Sequence, residues 1–221
     1  MKRHYTHPWE VTPAEAVTIQ QQLRNRVSLR DQLTVVKRVA GIDVGFEQGG
    51  VITRAAVVIL DYPGLTLLES ALACRPTTFP YVPGLLSFRE LPAVLEALEQ
   101  IRLLPDLLLC DGQGYAHPRR LGIASHLGVL TDIPSIGVGK TRLIGEHAQV
   151  ANERGAWQPL LERGECIGAA LRSRMGVKPI YISSGHRITL ETAIEYVMGC
   201  TTRFKLPETT RLAHRFASRT G

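Results

Sequence analysis

Two aspartates in this chain stand where a charge is costly. Asp43 lies among Val39, Ile42 and Val44, so its carboxylate borders a core and is unfavourable unless something compensates it. A metal ion is a natural compensation, and a strand-end turn is the plainer alternative. Asp111 closes the apolar run 107–110, which has the character of a strand buried on both faces. If that strand lies beside the one carrying Asp43, the two carboxylates meet at one sheet edge. They then repel unless a cation or a proton sits between them.

Three further residues could join them. Glu90 fits a capping box begun by Ser87, but Pro92 would then fall inside the helix, so a helix starting near Pro92 and leaving Glu90 free is an equal reading. The run 136–141 ends like a phosphate-binding loop, yet Pro134 occupies the place of the required first glycine, which excludes a nucleotide-triphosphate site. Lys140 can still act as a point charge near a phosphate or stand solvated. On the last helix, Leu212 and Phe216 form the apolar side and His214 lies on another face with Thr210 and Ala217. That spacing leans towards a surface histidine over a ligand. Finally, Pro80 and Pro83 bracket Tyr81 in a stiff turn that ends at Gly84. Such an aromatic either packs on the surface or wedges into a partner.

The elements that must position these residues follow from periodicity. Thr12 to Glu15 has a capping-box arrangement with proline at the first helical position, and Ala16, Ile19, Leu23 and Val27 make the stripe of a helix ending near Arg26. Residues 35–44, 54–60 and 65–73 read as three antiparallel strands joined by short turns. A helix over 91–102, a buried strand over 107–110, a helix over 121–129 and a strand over 135–138 come next. Strands over 166–172 and 179–183 and helices over 189–198 and 207–217 complete the chain. This is the α/β order of the ribonuclease H-like fold, a mixed sheet flanked by helices. No linker divides it, so residues 1–221 are expected to form a single domain with an N-terminal helical extension.

With 221 residues and 44% hydrophobic content the chain can bury a large core, which excludes disorder. Its formal charge of +6 is clustered at 24–38, 119–120, 140–142, 172–178 and 203–219, which fits a polyanionic partner. Cys74, Cys110, Cys166 and Cys200 lack any zinc or disulfide spacing and read as reduced core residues. Nowhere is there an apolar run of membrane-spanning length, and the N-terminus has no targeting stretch, so a cytoplasmic protein is expected.

Taken together the motifs resemble the endonuclease V family of deoxyinosine-directed repair nucleases. The resemblance runs through 41–46, the Pro80 to Glu90 run, the Asp-Gly-x-Gly-x-x-His-Pro-Arg-Arg block at 111–120 with its continuation to 126, Gly185-His186-Arg187, and Arg211 to His214. It implies a ribonuclease H-like fold, an acidic metal site of Asp43, Glu90 and Asp111 completed by His214, and Tyr81 as the wedge. It also implies a pocket for a flipped base lined by Gly84, Leu86, Gly112 and Ile123, with Pro80 and Pro83 framing the wedge and His117 and Lys140 near the phosphates. Gly139 departs from the family's alanine and Thr209 from its proline, which questions local rigidity more than chemistry.

The expected activity is Mg²⁺-dependent nicking, with Mn²⁺ as a possible substitute, at the second phosphodiester 3′ to deoxyinosine in DNA. Asp43 and Asp111 would hold the metal, with Glu90 and His214 binding directly or through water. A monomer is expected, and inosine-containing RNA is a possible second substrate. The rival readings are a nuclease for that RNA or for branched DNA, and a non-catalytic nucleic-acid-binding module that needs only the basic surface.

Overall fold

The computed structural model describes residues 4–218; the charged start at residues 1–3 and Arg219 of the last basic cluster lie outside the described residues. Helix α1 (Pro13–Leu23) is capped by Thr12 and Glu15 as its sequence predicts, and a 3₁₀ turn carries it to Arg26. Strands β1 (Arg38–Glu47), β2 (Ile52–Asp61) and β3 (Leu67–Pro76) form the antiparallel meander. Then come α2 (Leu86–Gln100), β4 (Leu107–Asp111), α3 (Ile123–Thr131) and β5 (Ser135–Gly139). The chain continues through β6 (Trp157–Glu162), β7 (Glu165–Leu171), β8 (Ile180–His186), α4 (Leu190–Gly199) and α5 (Glu208–Ala217).

The eight strands among the described residues join one mixed sheet in the order β3-β2-β1-β4-β5-β8-β7-β6, with β1, β4 and β5 parallel at its centre. The ribonuclease H-like arrangement is therefore present. Alternation along β1 sorts its side chains between two layers. Ala40 and Ile42 pack with Leu91, Val94 and Leu127 of α2 and α3, whereas Val39 packs with Ala193 and Val197 of α4 on the opposite face. Gly41 faces α5: a Cβ there would lie 2.1 Å from the Thr209 carbonyl oxygen, so only glycine admits this close approach of helix to strand.

Several expectations are corrected. β1 begins at Arg38 instead of Val35, because Asp106 Oδ2 accepts from the Lys37 and Arg38 amides at 2.9 Å and Val35 stays exposed. Helix α2 begins at Leu86, not near Pro92, and carries the proline in its second turn. A helix-interior proline costs about 3 kcal/mol. Burial of Phe88, Leu91, Val94, Leu95 and Leu98, each worth roughly 1.5–3 kcal/mol, outweighs it. Ser87 makes no capping box; Leu85 is the N-cap, without a side-chain bond. Strand β6, which contains Pro159, was not legible as a strand and lies at the sheet edge, where proline is tolerated. Cys110 and Cys200 are buried, but Cys74 and Cys166 are exposed. Among the described residues no helix is long and apolar enough to cross a membrane.

Candidate active site

Strands β1 and β4 run parallel with Ile42 opposite Cys110, so Asp43, in the middle of β1, and Asp111, at the carboxyl end of β4, each stand one residue beyond the last pair of that parallel ladder. Their carboxylates come within hydrogen-bonding reach. Burial first, then the hydrogen bond and charge of Asp111, hold the Asp43 carboxyl well above the ordinary carboxylate range, while His214 and Lys140 pull the other way. Lys140 follows β5 directly, and its Nζ rests against Asp111 Oδ2. From α5, His214 Nδ1 donates to Asp43 Oδ2 at 3.0 Å. The helix buries its small stripe of Thr209, Thr210, Ala213 and Ala217, and that leaves His214 at the rim, reaching the site. It is an exposed histidine, as its spacing leans, and it also stands within hydrogen-bonding distance of Asp43.

Glu90, buried in α2, completes the acidic group. Burial, followed by the charges of Asp43 and Asp111, pushes its carboxyl up to about 8. Asp43 and Glu90 held this way take up protons unless a cation offsets them, so the donor set fits a divalent ion with oxygen preference. Among the described residues no three His, Cys, Asp or Glu side chains converge as a finished ligand cage.

Beside the acids lies a pocket of about 250 Å³, just below the ~300–1,000 Å³ of sites for drug-sized molecules, so it suits a single ring system. Tyr81, Pro83, Gly84, Leu86, Gly112, His117 and Ile123 line it, and so do Glu90 and Asp111. Tyr81 is 70% exposed at its mouth, and Pro80 stands exposed next to it, outside the wall. His117 is not free to meet a phosphate. Its Nδ1 accepts from the Arg119 amide at 3.2 Å, so Nε2 carries the proton and donates to the Gly84 carbonyl at 3.0 Å. Burial lowers the imidazole to about 4 and keeps it neutral.

Sequence reasoning passed over several residues here. Gln113 donates from Nε2 to the Thr141 carbonyl at 3.0 Å, tying the loop after β4 to the segment after Lys140. A Cβ on Gly139 would fall 2.3 Å from that Nε2, so the glycine at this departure from the family pattern leaves room for the tie. At the other departure, Thr209 is fully buried and its hydroxyl has no hydrogen-bond partner among the described residues. Ser87 Oγ donates to Nδ1 of buried His126, whose Nε2 meets His7 Nε2 at 2.8 Å. Gln20 was hidden in plain view: a polar residue four positions after Ala16 and three before Leu23, within the apolar stripe of α1.

The family model for endonuclease V matches residues 21–215. Endonuclease V of Trichormus variabilis is 60% identical over 219 residues, covering 99% of both chains. The crystal structure of endonuclease V from Streptomyces avermitilis superposes with a TM-score of 0.90 at 43% identity, over 95% of this chain and 92% of that one. Ciona intestinalis endonuclease V (D234N), solved with a 23mer DNA containing an inosine followed by a ribo-adenosine, superposes with a TM-score of 0.81 at 28% identity, over 94% and 97% of the two chains.

Proposed function

The chain belongs to the endonuclease V family of phosphodiester-hydrolysing nucleases, and from that premise we propose that it nicks DNA at the second phosphodiester 3′ to deoxyinosine. One observation carries the reading: Glu90 and Asp111 are at once walls of the ring-sized pocket and members of the acidic cluster, so base inspection and strand cleavage share a boundary.

A base hidden in a duplex must be drawn out before it is read, at roughly a few kcal/mol, least at a mispair. Tyr81, exposed and stiffened by Pro80 and Pro83, fills the vacated stack. The first turn of α2 has no side-chain cap, so backbone N–H groups near Leu86 are available to read the base edge beside Gly84, Gly112 and Ile123.

Asp43 and Asp111 would hold Mg²⁺, with Glu90 and His214 ligating directly or through water; Mn²⁺ suits the same oxygen-plus-imidazole set. Such an ion, when bound, supplies an activated water and neutralises charge on the phosphate. Lys140 adds a fixed positive charge at the same edge. His214 orients the Asp43 carboxylate through its Nδ1–H.

The test is a nicking assay in Mg²⁺ on matched duplexes with and without one deoxyinosine, with an inosine-containing RNA as a third arm. Asp43→Asn and Asp111→Asn are expected to lower nicking by at least about 10³-fold while binding to the lesion duplex in Ca²⁺ persists. Retained nicking in either variant removes the metal-site assignment. Equal cleavage of both duplexes removes the lesion reading.

A further inference from the structure

We propose that Gln20, on the N-terminal helix, is a positioning residue that braces the pocket and thereby sets lesion discrimination. This rests on the reading of the pocket as the site of the extruded base. Gln20 is 0% exposed, and both ends of its amide are used. Nε2 donates to the Gly84 carbonyl at 3.0 Å and to the Leu121 carbonyl at 3.3 Å, and Oε1 accepts from Arg119 Nε. One side chain therefore joins three segments: the turn after Tyr81, the Arg119 loop, and the entry to α3. Gly84 and Leu121 are themselves pocket walls.

The point of convergence is the Gly84 carbonyl. It accepts from Gln20, from His117 Nε2 at 3.0 Å and from Arg119 Nη2 at 2.6 Å, and Gly84 holds φ +77° between the wedge and α2. Arg119 needs Gln20 to orient it, because the Nε contact fixes the plane from which Nη2 reaches Gly84. A buried amide with both ends paired admits one orientation, and removing it leaves partners unsatisfied. Gln20 stands one residue before the stretch matched by the family model, on a helix that the sequence presents as an extension. The geometry makes α1 part of the recognition turn.

Two full-length variants test this. Gln20→Met keeps length and packing but loses every bond. Gln20→Glu keeps an acceptor for Arg119 while presenting an oxygen where the Gly84 and Leu121 carbonyls need a donor. In both, the ratio of nicking kcat/KM for the deoxyinosine duplex over its matched undamaged duplex is expected to fall about tenfold, with kcat on the lesion within about threefold of the parent. Amide hydrogen exchange at residues 82–86 is expected to quicken about tenfold. An unchanged ratio with unchanged exchange overturns the proposal. So does a uniform loss of activity and Tm with the ratio preserved, which marks a purely structural brace. If the parent protein itself fails to distinguish deoxyinosine, the pocket reading is what falls. Exchange at 82–86 then decides the brace alone, and parent-like exchange in both variants overturns it.

Discussion

His214 Nδ1 lies 3.0 Å from Asp43 Oδ2, joining a helix and a strand whose residues are 171 positions apart in the chain. A histidine that fixes a ligating carboxylate typically affects metal affinity 10–100-fold. His214→Ala is expected to raise the Mg²⁺ concentration for half-maximal nicking by at least about tenfold. A metal titration that superimposes on the parent's returns His214 to a surface role.

That contact depends on Gly41. A methyl group there meets the Thr209 carbonyl oxygen at 2.1 Å, backbone against backbone, so α5 must shift. Gly41→Ala is expected to destabilise the protein by about 1–3 kcal/mol in denaturant unfolding. It should also raise the Mg²⁺ requirement much as His214→Ala does. The two effects on metal requirement should not add, because both act through one contact. Additive losses would show that α5 does not transmit the change.

Tyr81 makes its contribution outside the folded core, being 70% exposed. Tyr81→Ala is therefore expected to leave Tm unchanged and to weaken binding to the deoxyinosine duplex by about tenfold, the scale of one lost base–aromatic stack. Tyr81→Phe should retain most of the affinity. Binding to undamaged DNA should keep its dependence on salt, since no phosphate contact is removed. Equal losses on both duplexes would count against a wedge.

Stability should fall on acidification because of a pair of histidines, His126 buried and His7 half-buried. His7 Nδ1–H donates to the Pro8 carbonyl, so His7 Nε2 accepts from His126, whose Nδ1 in turn accepts from Ser87. Burial holds the His126 imidazole well below 6.5 and lowers His7 too. The unfolded chain then binds protons that the folded one does not. Their stabilisation is complete above about pH 6.5 and is lost as pH falls below it, at up to about 1.4 kcal/mol per pH unit for each histidine. Glu90, raised to about 8, acts in the opposite sense over pH 8 to 4.5, so the comparison is between variants. Between pH 7 and 5, His126→Gln should show a shallower decline in unfolding free energy than the parent. Identical slopes would remove His126 as the source.

Local chemistry made much of the framework readable. Thr12 and Glu15 cap α1 as their spacing demands, and the apolar run before Asp111 is the buried central strand. These signals survive because each lies within a few residues. The start of α2 was misread because Pro92 is a strong local breaker, whereas the burial that overrides it comes from the sheet beneath. The buried face of α5 was misplaced because the helix buries small residues, Thr210 and Ala213, where Leu212 and Phe216 suggested the core face.

By itself, the sequence singled out the residues proposed to carry the chemistry, since acids among apolar neighbours and a proline-bracketed tyrosine are properties of side-chain type and spacing. Only the tertiary structure decided how they meet. Asp43 faces Asp111 because β1 and β4 pair in parallel, His214 reaches them because Gly41 admits α5, and Gly84 is held by Gln20 from a helix 64 residues earlier. Such contacts depend on register and on the closeness of packed backbones. Neither has a period or a motif in the chain, because both are set by how whole layers fit together.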